Sequence, residues 1–515
     1  MSAYALLRYV LSMAPTVSPD DPGELQVLSW ALGIPHATGY PLFIWLGKLF
    51  TCLPFGDVAR RVTFLSVVSG AAATLMVYRN GARLCDDTGP GRWLAAAVAA
   101  LGFSSSYTFW STAIVAEMYT LHVFLALVVV ALALRWSREQ KDWQMVAAVF
   151  TWGAMLGNHL SSVALAPALG LFALAHRPRQ WLDPRRVGKV ILAFASGAGV
   201  FNVLLFFLLF RRHVAFDQFH TVILGAPELF HVRDTFWSAW WYTASGGQFK
   251  AAMSVSAEWQ RLQVRLLPHR IVGQFYPVGA AVAIAGWLRL WARRWRANVL
   301  LTTLFVTQIA LNMHFEMWKV VLYYVTPYAC VALWMAVALA WLAHGVHQEV
   351  TQIMPRLGPQ LSCAIALTST AALLAVLFLM NLGAGARYRQ WLLSRNPEDA
   401  HHVAEYLGPR PDLSERFEVR ERARQYLDRM PSDAIVLASW RMIYPLVYVA
   451  RVERHIATLR VYEAYPVHFG GNGPSSSTLD VIRDNRGRRP LFLVDDPKWL
   501  PMPTTQVLPG IWRID

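Results

Sequence analysis

The feature that most limits what this chain can become is an apolar run of roughly 17–25 residues that recurs along most of its length. Each such run can cross a hydrocarbon core of about 30 Å as a helix. The runs fall near 3–17, 62–78, 92–110, 114–134, 143–157, 160–175, 188–210, 271–291, 298–313, 319–343 and 360–382. The first is short, as expected of a first helix that has been cut, and GNHL alone separates the fifth from the sixth. The pattern predicts a mainly α, polytopic membrane protein of about 11 spans. Composition points the same way: 55% of residues are hydrophobic and 15% charged, where a soluble domain carries about a quarter charged.

A formal charge of +15 would suit a nucleic-acid binder, but the distribution of arginines excludes that class. They crowd the short even-numbered connections: Arg79, Arg83 and Arg92; Arg135, Arg138 and Lys141; Arg177 to Lys189; Arg289 to Arg296. This is the asymmetry that sets membrane orientation, and it places these loops in the cytoplasm. The odd connections then face outward, into the periplasm if the membrane is a bacterial inner one. The four cysteines are widely spaced and form neither a disulfide framework nor a CxxC metal pattern. The first residues lack the ordered parts of a cleavable signal peptide, so none is expected.

The outward connections are chemically distinct. They hold TVSPDDPGEL, the end of STAIVAEMYTLH, GNHLSS, the segment 211–270 and LNMHFEMWK. Ionisable groups at membrane depth are costly, so their collection at one level points to function. Residues 24–60 and the tryptophan-rich 230–262 are apolar but interrupted, and are expected to lie along the interface. From Arg387 the chain turns polar, with helical patterns in PEDAHHVAEYL, SERFEVRERARQYLDRM and IYPLVYVARV. Strand-like DAIVLAS, ATLRVYE and RPLFLVDD alternate with them, and GGNGPSSS at 470–477 reads as a loop. This predicts a transmembrane unit over 1–386 and a small outer α/β domain over 387–515.

In TVSPDDPGEL, Asp21, Pro22 and Glu24 fit N-cap, N1 and N3 of a helix, a capping box. The same carboxylates suit a second role, since transfer to a hydroxyl needs a base beside it. A helix N-terminus favours the ionised form such a base requires. Elsewhere on the outer side, Glu117, Tyr119 and His122 follow one another on a helix, and Asn158 and His159 form a further polar point. His314, Glu316 and Lys319 precede Tyr323 and Tyr324. Lys319 and Arg61, with Arg60 beside it, are outer cations suited to a lipid phosphate or simply to anchoring at the interface. No phosphate-binding Gly loop, HExxH or GxSxG occurs, so no nucleotide site is expected and a donor would arrive from the lipid phase.

APTVSPDDPGEL, GIPHATGYPLFIWLGKLFTCLPFGDVARRVTFLS, FWSTAIVAEMYTLHVF and GNHLS, in this order and spacing, resemble the polytopic protein O-mannosyltransferase family. That family was long catalogued as a domain of unknown function, and its eukaryotic member mannosylates IPT domains of receptor ectodomains. The resemblance is strongest over about 12–165. It implies a GT-C-like fold, a polyprenyl-phosphate sugar as donor, a protein or glycan acceptor, and inversion at the sugar carbon. It implies Asp21 as base with Glu24 beside it, and His36, Gly39, Tyr40 and Pro41 in a HPPGYP-like motif, here HATGYP. Glu117 and Tyr119 match AExYTL and His159 an NH pair, with Arg61, His159 and Lys319 as holders of the departing phosphate. Pro22 departs from the family, which has a small polar residue there. No cofactor is implied beyond the lipid-linked substrate, and no metal ligand is assigned. A flippase of lipid-linked sugars and a non-enzymatic envelope assembly protein are the competing readings. A flippase would place its acids near the midplane.

Overall fold

A computed structural model describes the chain except residues 86–90, 222–228, 318–319, 354–358, 396–410, 464–475, 495–497, 499 and 501. Lys319, all of PEDAHHVAEYL and most of GGNGPSSS lie outside the described residues. Among the described residues six helices are long and apolar enough to cross a membrane. In chain order the first elements are α1 (Ser2–Ser12), α2 (Asp20–Ala31), α3 (Pro41–Phe50), α4 (Val58–Leu84), α5 (Gly91–Ser104) and α6 (Tyr107–Ala113). Then come α7 (Tyr119–Glu139), α8 (Asp142–Met155), α9 (Leu165–His176) and α10 (Pro184–Phe210). The tryptophan-rich α11 (Phe236–Ala244) turns Trp237 and Trp241 outward. The membrane unit closes with α12 (Ala257–Met313), α13 (Val325–Ile353) and α14 (Pro359–Arg395).

Each expected run is helical, though several are too short to count among the six. The eighth and ninth share α12, where Arg294 leaves helical geometry and folds the chain back on itself. A second break, at Tyr276, precedes Pro277, whose missing N–H cannot continue the ladder. The basic connections meet at one end. The Arg83 carbonyl accepts from Arg294 Nη1 at 2.8 Å and from Arg138, and Arg186 pairs with Asp142 at 3.0 Å. With 27 residues in α4, the other end lies about 40 Å away at 1.5 Å per residue.

One expectation is corrected. Residues 22–29 of α2 are all buried, so this helix is packed inside the protein instead of lying along an interface. Its polar side chains permit this because they find partners. Gln26 accepts from Ser18 N at 2.9 Å and donates to Thr63 Oγ1 at 2.9 Å, and Glu24 is satisfied as described below. The exposed part of 24–60 is the end of α3, at Leu49, and the turn after it, at Cys52.

The carboxyl-terminal unit follows as α15 (Glu418–Leu427), β1 (Ile435–Ala438), α16 (Trp440–Tyr448), β2 (Arg460–Glu463), α17 (Ser476–Asn485), β3 (Leu491–Val494), β4 (Thr504–Leu508) and β5 (Ile511–Ile514). The sheet order is β2-β1-β3-β5-β4, with β1 parallel to both β2 and β3 and the last two strands antiparallel. The central strands are buried on both faces, as parallel strands are. Val436, Ala438, Phe492 and Val494 point into the large core shared with the membrane helices. Ile435, Leu437, Leu491 and Leu493 face Ile482 of α17 in a second cluster. The largest apolar cluster thus runs from the helical bundle into α16.

Candidate functional site

Pro19, with extended backbone, stands at the N-cap of α2, and no side chain caps it. The capping-box reading of Asp21 and Glu24 is therefore wrong. Both carboxylates turn away from their own helix toward stronger, fixed donors, and Pro22 removes one of the N–H groups a cap would serve. Asp21 Oδ1 accepts from the indole Nε1 of Trp440 at 2.8 Å. Glu24, fully buried, accepts from His36 N at 2.8 Å and from Tyr444 OH at 3.2 Å, and pairs with His36 Nδ1. Gly23 between them allows the close approach of the preceding loop, because a Cβ there would stand 2.2 Å from the Ser18 carbonyl oxygen.

The HATGYP turn is built for the same centre. Gly39 (φ +79°) and Tyr40 (φ 41°) are left-handed, and a Cβ on Gly39 would also meet Thr243 at 2.6 Å. Pro41 then opens α3 at its first position. The reversal brings Tyr40 OH back to His36 Nε2 at 3.0 Å, while that hydroxyl donates to the Ala37 carbonyl at 2.9 Å. With its proton committed to Ala37, Tyr40 can only accept from Nε2–H, and Nδ1 faces Glu24. With Nδ1 on Glu24 and Nε2 on Tyr40, both ring nitrogens face oxygens able to accept an N–H, an arrangement that favours the charged ring. Burial opposes that charge, but Glu24, then Asp21 and Glu117, outweigh it and raise His36 to about 9. Burial also pushes the Glu24 carboxyl upward, against the pull of His36.

Asp21, His36, Tyr40 and Tyr119 line one cavity of about 610 Å³, open mouth included, together with Met118, Gln248, Phe249, Met317, Tyr323 and Trp440. Glu24 stands behind His36. His159 stacks on Tyr40, ring centres 6.0 Å apart and planes 7° from parallel. It also lies against Tyr119 and Tyr323, at 5.6 Å and 5.4 Å. Its Nδ1 accepts from Ser161 N at 3.2 Å, so the proton sits on Nε2, and burial, with His122 and His36, keeps the ring neutral. Glu117 is buried, its backbone N–H and carbonyl both bonded to Ser66 Oγ, and its charge acts on His36. Arg61 is not brought to the cavity. Its guanidinium donates to the carbonyls of Phe55, Thr51 and Gly56, which fold the loop before α4. Among the described residues no group of three or more His, Cys, Asp or Glu could hold a metal ion.

Sequence reasoning missed the residues that the carboxyl-terminal unit supplies. Trp440 and Glu463 stand at the carboxyl ends of adjacent parallel strands, in the register Ala438↔Glu463. That edge is where open α/β sheets present their ligands, and it was the available signal. Glu463 is buried, and its Oε2 has no partner among the described residues. Burial and the Glu24 charge push it up to about 8. A buried arginine was missed as well. Arg270 of α12 donates to Gln263 at 2.6 Å and lies over the Tyr324 ring at 4.7 Å. Its Nε has no partner among the described residues.

Residues 21–182 match the family described as Protein O-mannosyl-transferase TMEM260 N-terminal domain. This stretch is similar to that domain. The mouse Protein O-mannosyl-transferase TMEM260 is 34% identical over 155 residues, 29% of this chain and 21% of the mouse protein. The match thus spans about a fifth of that relative's length. Over the whole chain the fold is that of ArnT from Cupriavidus metallidurans, solved bound to undecaprenyl phosphate. The TM-score is 0.56 at 16% identity, covering 99% of this chain and 96% of that one. The apo Archaeoglobus fulgidus oligosaccharyltransferase gives a TM-score of 0.50 at 15% identity, covering 96% of this chain and 69% of that one. The chain is an integral membrane protein that shares the fold of ArnT and carries a small carboxyl-terminal sheet, and its resemblance to the O-mannosyltransferases holds across residues 21–182.

Proposed function

We propose that the chain transfers a sugar, mannose by its TMEM260-type domain, from a polyprenyl-phosphate donor to an acceptor hydroxyl. The observation that carries this reading is the Asp21 carboxylate on the wall of a cavity that opens at the end of the bundle opposite the basic loops. Asp21 takes the hydroxyl proton as the acceptor oxygen bonds to the anomeric carbon. The bond from that carbon to the phosphate oxygen breaks on the opposite face, inverting the centre. The departing lipid phosphate needs a preorganised positive group. Arg270 suits that role better than Arg61, since its Nε is uncommitted while Arg61 serves its own loop. Tyr324, beneath Arg270, is the chain neighbour of cavity-lining Tyr323. The membrane would be a bacterial inner one, with residues 387–515 in the periplasm.

The test is transfer of radiolabelled mannose from polyprenyl-phosphate mannose to endogenous envelope proteins, comparing wild type with Asp21→Asn at matched expression. The expected loss is roughly 10²–10⁴-fold, the range for removing a general base. Equal transfer by both proteins would move the base elsewhere. No transfer by folded wild type would favour a carrier of lipid-linked sugars.

A further inference from the structure

We propose that the carboxyl-terminal domain completes the reacting centre, with the indole N–H of Trp440 acting as a positioning group for the Asp21 carboxylate. The inference rests on the transferase reading above and adds to it a residue from the far end of the chain.

Two helices meet here in register. On α16, Trp440 and Tyr444 are four residues apart and share a face. On α2, Asp21 and Glu24 are three apart and do the same. Each residue of one pair donates to its counterpart, Trp440 to Asp21 at 2.8 Å and Tyr444 to Glu24 at 3.2 Å. An indole is a donor only, so it cannot turn a lone pair toward the carboxylate, and it favours the ionised form. Its ring is held edge-on by His36 at 6.1 Å and by Tyr444 at 5.5 Å. Trp440 itself lines the cavity. Asp21 also lies in the field of Glu24 on its own helix, His36 and Tyr40 in the turn, and Tyr119 and Tyr323 on the membrane helices. Trp440 is the group that joins this set from the outer domain by a direct bond to Asp21. The base therefore gains a fixed donor from the domain when it is docked, which couples that unit to the chemistry.

The experiment uses the full chain in lipid nanodiscs, with Trp440→Phe and with β-(3-benzothienyl)alanine at position 440. The latter keeps the shape of the indole and deletes only its N–H. With polyprenyl-phosphate mannose as donor, kcat should fall roughly ten- to hundredfold, as for loss of a hydrogen bond to a charged group. The donor KM should stay within about twofold, and the acid limb of the kcat–pH profile should move to higher pH. A wild-type kcat and limb, or a loss confined to KM, overturns the proposal. Infrared difference titration provides a readout without turnover, following the carboxyl band that disappears in Asp21→Asn. Its midpoint should rise in both position-440 variants, and an unchanged midpoint overturns the proposal even if the protein transfers sugar. A midpoint that rises in a protein that transfers nothing would sink the transferase reading alone.

Discussion

At the scale of single residues, His36 and Glu463 make stability depend on pH in the same direction. Each has a folded-state value above its ordinary one, His36 at about 9 and Glu463 at about 8. Between the ordinary and folded values the native state binds more protons than the unfolded chain, so stability falls as pH rises. The His36 contribution is fully present below about pH 6.5, the ordinary histidine value, and is lost as pH climbs through 9. The Glu463 contribution is lost between about pH 4.5 and 8. His36→Gln should therefore flatten the fall in thermal midpoint between pH 6.5 and 9, read by unfolding scans in nanodiscs. Glu463→Gln, which copies the neutral acid, should hold the wild-type midpoint at pH 5 and exceed it at pH 8.5. A wild-type slope in His36→Gln would mean that the imidazole is not the group that titrates. Neither residue announces this in sequence. His36 lies in a turn and Glu463 ends a strand, and their fields come from Glu24, distant in the chain and near only after folding.

At the scale of elements, the helices and strands were largely legible because each carries its own period. The apolar runs became helices, and DAIVLAS, ATLRVYE and RPLFLVDD became β1, β2 and β3. The start of α2 was misread, because capping was inferred from residues that have a better use. A cap satisfies backbone N–H groups locally. Asp21 instead answers Trp440, 419 positions away, and no local pattern contains that partner. What the motif does specify locally is Gly23, which seats the first turn of α2 on the Ser18 carbonyl. Gly23→Ala would press a methyl carbon to 2.2 Å from that backbone oxygen, which cannot swing away as a side chain could. Relief requires moving the turn that carries Asp21, and a misplacement of about 1 Å costs on the order of 10²-fold in rate. Transfer should drop by about that factor while the remaining helices keep their circular dichroism. Near-normal transfer by Gly23→Ala would show that the loop, not the helix, gives way.

At the scale of the whole molecule, the question is what holds the carboxyl-terminal unit on the bundle. The conspicuous candidate is Arg420 of α15, which reaches Asp57 at 3.6 Å and Thr16 at 3.3 Å. Both charges of that pair keep some exposure, 19% and 24%, and such pairs contribute about 0–1 kcal/mol. The stronger tie is apolar. Ile443, Leu446 and Val447 of α16 are buried in the same cluster as Met13, Val17, Leu25 and Val62 of the bundle. The domain was legible as a fold, whereas its attachment was not, because an apolar helix face does not name what it packs against. Arg420→Ala should therefore shift the thermal midpoint little and leave transfer near wild type. Ile443→Asp would bury a carboxylate at a site with no solvent exposure, at a cost of several kcal/mol unless the domain swings away. The domain should then detach. Cleavage in 411–417 should accelerate under limited proteolysis, and transfer should fall at least about tenfold as the Trp440–Asp21 contact is lost, while the helical bundle stays soluble in the same detergent. If Arg420→Ala caused the detachment and Ile443→Asp did not, the ion pair would be the true fastening and the shared core only a consequence of it.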